Sequence, residues 1–433
     1  MARKRPRTRR SNSAVLTALS LCLTKHLAPA EGDGSDSNLV FSPASIYATL
    51  ALLAAGARGG TLQELLDALG GGSRDDLAAF ARRVAERALA DRSCSSGRGP
   101  AVAFACGAWH DAAWAPRPEF RDAAAAAYKA EARAVDFSNE PEKAVNVING
   151  GVAAATNNHI DSILDSSSVN ALTNLVVASA IYFKGKWEAP FTKSNTRVDK
   201  FHRLDGSFAD VPFMRSWRSQ LVAVRNGYKV LKLPYKSPAP APPPPSTQRR
   251  RASQSKAADE PDKAAGELPR YSMCIFLPDE RDGLAGLVAK IASGPGFCYY
   301  RLPTERVQVG DFRLPKFKLS ASGSVMQALR DDMGITSAFV AGEADLSGMA
   351  KRDGDEAGTL LHVGDVRHKA VLEVNEEGVA VATSSYMLCG ASAVMTDQQK
   401  TVDFVADHPF VFFVIEEVSR AILFVGRVLD PSI

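Results

Sequence analysis

The texture of this sequence changes once, near Lys200, and that change excludes most architectures open to a chain of its size. Helix signals dominate before it. Ser42 precedes Pro43, so a hydroxyl can accept from the free N–H groups of a first turn whose geometry suits proline. Thr61 with Glu64, and Ser73 with Asp76, stand three residues apart in the pattern of a capping box. Ala-rich segments from Asp75 to Ala90 and from Phe120 to Ala130 continue the helical pattern, while Val102 to Ala108 and Leu175 to Phe183 read as buried strands. After Lys200 short strands follow one another, among them Val222 to Val224, Tyr228 to Leu233 and Tyr271 to Leu277. Helices that precede strands, with no βαβ rhythm and no internal repeat, predict an α+β fold over a doubly wound parallel sheet.

Length alone leaves 433 residues free to form two or three average domains or one large mixed domain. A hydrophobic content of 45% and a charged content of 23% supply a sizeable core and exclude wholesale disorder. The net charge of +4 is small, and its basic excess sits in local runs, Met1 to Arg10 and Arg249 to Arg251. The folded body therefore carries no footprint for nucleic acid or membrane, and no stretch approaches the roughly 18 apolar residues of a membrane span. Six cysteines, Cys22, Cys94, Cys106, Cys274, Cys298 and Cys389, show neither a CxxC pair nor dense even spacing, so free thiols are expected.

The N-terminus admits two readings. The basic residues 1–10, the apolar run Ala14 to Leu23 and the small residues Ala28-Pro29-Ala30 resemble a secretory leader, which would place the protein outside the cell. Val15, Leu16, Leu19, Leu23 and Leu27 recur at helical spacing with Lys25 and His26 in the same run, which favours a first amphipathic helix and an intracellular protein of cytosol or nucleus. Residues 1–11 then form a basic disordered tail. Between the strand-like runs on either side, residues 237–269 hold Pro242 to Pro245, Arg249 to Arg251 and a Lys, Asp, Glu and Ala mixture that cannot bury enough surface to order itself. Arg249-Arg250-Arg251-Ala252-Ser253 fits a basophilic kinase and makes Ser253 a candidate phosphosite, with an unmodified linker as the plain alternative.

The segment Asn38 to Ile46, with Ser42-Pro43 and Ser45 at its centre, and then Gly56 and Thr61, resembles a helical region of the serpin family. Ile181-Tyr182-Phe183-Lys184-Gly185-Lys186-Trp187 with Phe191, Pro315-Lys316-Phe317, Gly334-Ile335 with Phe339, and Ala344 to Gly348 resemble the next landmarks in order. His368-Lys369-Ala370, Asn375-Glu376-Glu377-Gly378, Asp403-Phe404 with His408-Pro409-Phe410, and Leu423-Phe424-Val425-Gly426 resemble the family's C-terminal signature in the wording of its plant members. The resemblance implies one serpin domain over 12–433: three β-sheets, eight or nine helices, a hairpin carrying the Pro-rich insert, and an exposed reactive-centre loop over 378–402. It also implies a protease inhibitor that acts as a suicide substrate, the cleaved loop sliding into the main sheet as a new strand.

From the residues themselves, Val379 to Thr396 holds no charge and no proline, so nothing in it forbids burial or ladder bonds. Val379, Val381, Thr383 and Ser385 would share one face of a strand, with Ala380, Ala382, Ser384 and Tyr386 on the other. By the family's register the hinge is Glu376, Glu377, Gly378, Val379, Ala380, Val381 and Ala382. The bond offered to the protease is Ser392-Ala393 when counted from Gly378 and Ala393-Val394 when counted back from Asp403. Either choice puts a small residue before the cut and points to an elastase-like or papain-like target, not a trypsin-like one. The resemblance pairs Lys316 with Glu376 at the top of the sheet, the family's breach, beside Trp187. It groups Ser42, Ser45 and His368 in a hydrogen-bonded shutter below.

Three departures favour the alternative of a non-inhibitory serpin that binds a partner or serves as storage: Val379 and Val381 are bulkier than the family norm, and Ser179 stands where an asparagine is usual. An enzyme is not expected, because no HExxH, GxSxG, Walker-A or paired Cys and His pattern is present. Neither is a metal or cofactor, and the expected state is a monomer.

Overall fold

The computed structural model describes residues 37–91, 93, 99–237, 267–294, 297–352, 361–377 and 401–433, with positions 16, 19, 20 and 23 of an N-terminal helix. The bait bond at Ser392, Ala393 or Val394, the hinge from Gly378 to Ala382, Ser253 and the tail 1–11 lie outside the described residues.

The helix Pro43–Gly56 starts as its sequence dictates. Ser42 is extended at φ −117 and accepts from the Ser45 N–H at 3.2 Å, and Pro43 occupies the first turn. Nearly every residue of this helix is buried, so it serves as an axle of the main core. Arg74–Arg87 likewise begins at a serine cap, with Ser73 accepting from the Asp76 N–H at 3.1 Å.

The expected capping box at Thr61 and Glu64 is not used. The helix Gly59–Leu69 begins two residues before Thr61, and Arg58 at its N-cap makes no side-chain cap bond. Glu64 instead takes the N–H groups of Thr336 and Ser337, both at 2.9 Å, and Thr61 accepts from the Asp345 N–H at 3.0 Å. These donors lie in turns that no ladder satisfies, so the polar pair meets a long-range demand in place of the local one. Pro118–Tyr128 and Pro141–Ala155 follow, the latter burying Ala144, Val145, Ile148 and Val152. Eight α-helices lie among the described residues, and Leu16, Leu19 and Leu23 of the N-terminal helix are buried in the main core, in keeping with amphipathic spacing.

Among the described residues the strands form three sheets and a short two-stranded pair. The seven-stranded sheet has at its centre Phe410–Glu416 and Tyr271–Pro278, each buried throughout, as strands covered on both faces require. Tyr228–Pro234 and Tyr271–Pro278 pair in regular antiparallel register up to Pro234 and Ser272, so the insert leaves and re-enters at the end of an intact ladder. The four-stranded sheet contains Val309–Pro315 and Val402–Val405.

The five-stranded sheet runs in the order Phe317–Ser324, Asp365–Val374, Leu175–Lys184, Ala101–Asp111 and Glu131–Val135. Its third strand alternates between two cores: Leu175, Val177, Ile181 and Phe183 face the main core, while Val176, Ala178, Ala180 and Tyr182 face a smaller one roofed by Pro141–Ala155 and the connector 156–174. Asp365–Val374 and Leu175–Lys184 pair in parallel, from Asp365 with Val176 to Leu372 with Phe183.

Candidate functional site

At the upper end of Asp365–Val374 the chain is tied down by one short segment, residues 187–196. The Trp187 indole N–H donates to the Asn375 carbonyl at 2.7 Å, the Phe191 N–H to the Glu376 carbonyl at 2.8 Å, and the Trp187 N–H to the Glu377 carbonyl at 3.4 Å. Three consecutive carbonyls before the loop are thus held. Trp187 stacks on Tyr235 at 4.4 Å between ring centres. Gly185 makes that packing possible, since a Cβ there would lie 2.3 Å from the Tyr235 ring.

The carboxylate of Glu376 is 7% exposed and pairs with the Lys316 amine at 3.0 Å, while its other oxygen accepts from the Thr196 hydroxyl at 2.8 Å. Burial pushes this carboxyl up, but a backbone hydrogen bond, Lys316 and Thr196 together outweigh burial and hold it below the ordinary carboxylate value. Glu377 pairs with Lys193, and Lys184 reaches Glu373 at 2.9 Å across the parallel strands. Lys316, Glu376 and Trp187 therefore meet at one place. Thr196, Lys193, Tyr235 and the Lys184–Glu373 pair join them, and no motif in the sequence singles these contacts out.

Halfway down the same strands lies a buried polar group. The Ser42 N–H donates to His368 Nε2 at 2.9 Å, and His368 Nδ1 is 3.1 Å from the Ser179 hydroxyl. A ring nitrogen that accepts an N–H cannot carry a proton, so the imidazole is neutral with its proton on Nδ1. Burial pushes His368 down to about 4, against the raising effect of its bond with Ser179. Ser42, Ser179 and His368 are thus connected. Ser45 sits one turn along at 0% exposure, donates its N–H to Ser42, and has an Oγ with no partner among the described residues.

The family description for serpins, serine protease inhibitors, matches residues 14–241 and 264–431. The chain is a serpin. The internal stretch left unmatched, 242–263, falls inside the Pro-rich insert. This serpin is 48% identical to Serpin-Z2A of rice over 96% of its own length and 97% of the relative's. It is 34% identical to Serpin-ZX of Arabidopsis thaliana over 98% and 99% respectively. The solved structure of Arabidopsis AtSerpin1, in its native stressed conformation, is similar with a TM-score of 0.82 at 33% identity, covering 99% of this serpin and 100% of that chain. Serpins are in general protease inhibitors and not catalysts. Of this serpin's cysteines, Cys106, Cys274 and Cys298 are buried free thiols, and burial pushes Cys106 and Cys298 up to about 12, which leaves them unreactive. No described helix is long and apolar enough to cross a membrane.

Proposed function

We propose that this serpin is a suicide-substrate inhibitor of serine proteases, extending to papain-like cysteine proteases, with 378–402 as its bait loop in a single domain over 12–433. The attacking hydroxyl or thiol forms an acyl bond with the carbonyl of Ser392, or of Ala393 in the alternative register, and the amine of the next residue departs. The freed loop, still joined to Glu377, then enters the five-stranded sheet as a strand between Asp365–Val374 and Leu175–Lys184. The observation that carries this reading is the parallel pair Asp365–Val374 and Leu175–Lys184, which stands directly beneath the point where the chain leaves for the loop. A chain that reverses at Gly378 runs antiparallel to both strands, and antiparallel ladders are the more stable per residue. Val379 and Val381 would face the main core, each contributing about 1.5 to 3 kcal/mol on burial.

Small residues before the cut make elastase-like and papain-like enzymes the expected targets. The Lys316–Glu376 pair and Trp187 hold the base of the loop in this reading, and Ser42, Ser45, Ser179 and His368 keep the strands closed below it. The proposed state is an intracellular monomer without cofactor. The test is incubation with a pancreatic-type elastase and with a papain-like protease, followed by a search for an SDS-resistant covalent complex. A complex is expected, and the mass of the released peptide fixes the bond. Clean cleavage without complex by several proteases would overturn inhibition and leave a partner-binding or storage serpin.

A further inference from the structure

Beside His368, toward the lower end of the five-stranded sheet, lies a cavity of about 380 Å³ that the inhibitory reading does not use. Its size falls within the range of about 300 to 1,000 Å³ typical of small-molecule sites. The strand Leu39–Phe41 forms one side of it, and the end of Phe317–Ser324 with the helix Met326–Asp331 forms another. Leu23 and Ile46 of the main core join them. The short helix is fixed against the sheet by Leu329, which is fully buried, and by the Val325 N–H, which donates to the Val366 carbonyl at 2.9 Å.

The lining divides by chemistry as well as by depth. Val40, Phe41 and Ile46 are buried and wholly apolar in their side chains, and Val325 and Ala328 are half-buried. His368, also buried, has both ring nitrogens engaged, one with the Ser42 N–H and one with the Ser179 hydroxyl, so it offers the cavity only carbon. Toward water stand the exposed residues Ser322, Gln327 and Asp331, whose side chains have no hydrogen-bond partner among the described residues. Asp331 is the one ionised group among the described lining residues, and no cation pairs with it there. Of the basic residues nearby in sequence, Arg367 is held by Asp365 at 2.5 Å.

An apolar interior with an uncompensated carboxylate at its mouth selects a ligand divided in the same way, hydrocarbon within and positive charge without. An ammonium head has three donors and no acceptor, which suits the Asp331 carboxylate, the Gln327 carbonyl and the Ser322 hydroxyl. A carboxylate head would set like charges together. We propose that this cavity binds a single-chain amine, its hydrocarbon against Phe41, Ile46 and His368 and its ammonium group at Asp331. No residue of the bait loop takes part, so the site stands whether or not the protein traps proteases.

The probe is dodecylammonium below its micellar concentration, titrated calorimetrically into the intact protein, with dodecanol and dodecanoate as references of equal chain length. The amine is expected to bind about fivefold more tightly than the alcohol, the upper yield of an exposed ion pair, and dodecanoate more weakly than either. Asp331→Asn, a surface change that leaves the core untouched, should bring the amine down to the level of the alcohol. Ala328→Trp, which puts a ring into the cavity, should abolish binding of all three. Equal affinity for the three heads, an amine preference that survives Asp331→Asn, or amine binding by folded Ala328→Trp would overturn the site and leave only adsorption of a detergent. Absence of binding would overturn it too; if binding then appears once Lys25 and Leu27 are replaced by serine, the cavity belongs to the chain's own residues 24–36.

Discussion

Acid should loosen this serpin through His368 as the pH falls below about 6.5. The ring is neutral and wedged between the Ser42 N–H and Ser179, with its pKa lowered from 6.5 to about 4 by burial. Because the folded value lies below the unfolded one, the unfolded chain binds the proton first. The stability owed to a neutral His368 is therefore complete above about pH 6.5, falls through the window down to pH 4, and changes no further below it. The gap corresponds to a loss of about 2 kcal/mol by pH 5 and about 3 kcal/mol by pH 4. His368→Gln supplies a donor and an acceptor of similar reach and does not titrate, so it is the matched reference. Urea unfolding of both proteins, from pH 7.5 to pH 4.5, should give curves that lie parallel near neutrality and separate below pH 6.5, where the wild type weakens more than the variant; the buried His110 titrates in both and cancels in the difference. Curves that stay parallel throughout would show that the imidazole is not held neutral between the strands, and the reasoning from its hydrogen bonds would fail.

Lys316→Met should cost about 3 kcal/mol, since it leaves the buried Glu376 carboxylate without its cation, while Lys193→Ala should cost under about 1 kcal/mol because that amine is 68% exposed. Urea midpoints check both, and Lys316→Met combined with Glu376→Gln should recover most of the loss. Replacing 238–266 by a two-residue turn should stabilise the protein by about 1 to 2 kcal/mol, the closure entropy of a long loop at the end of an intact ladder; a lower urea midpoint would mean that the insert packs on the body. On the proposed mechanism, Val379→Thr with Val381→Ala relieves about 1 kcal/mol of crowding during insertion and should raise the ratio of covalent complex to cleaved product about fivefold on denaturing gels.

Local chemistry was legible, and pairing across the chain was not. Ser42-Pro43 and Ser73 announced their helices because a cap and the turn it serves are neighbours in sequence. Thr61 and Glu64 show the same spacing and serve residues 336–345 instead, which no local rule distinguishes. Pro141–Ala155 is hard to read as a helix because Asn146, Asn149, Gly150 and Gly151 weaken its helical propensity, although Ala144, Val145, Ile148 and Val152 carry the apolar stripe. Lys316 and Glu376 were joined only through a family resemblance, and nothing in the neighbourhood of Lys184 points to Glu373. Such pairs are fixed by the order of strands in the sheet, in which Leu175–Lys184 meets a partner that begins at Asp365.

That strand order also bears on how a bait loop could be held ready. The parallel seam is tied by Lys184–Glu373 near its top, by His368–Ser179 on the main-core side, and on the opposite face by the connector through Lys369 and His159. An entering strand would have to break these contacts as the seam parts, while its own ladder bonds and the burial of Val379 and Val381 accrue only as it advances. Costs that precede gains make a barrier, not a deep well. A seam of this kind can hold the native arrangement for long periods while a more stable one lies beyond it. The rate of insertion would then be set by the ties and by the crowding that Val379 and Val381 meet on entry, and its driving force by the surface the loop buries. Substitutions that remove the Lys184–Glu373 tie should therefore change how fast the protease is trapped, and substitutions at Val379 or Val381 both that rate and how stable the trapped product becomes.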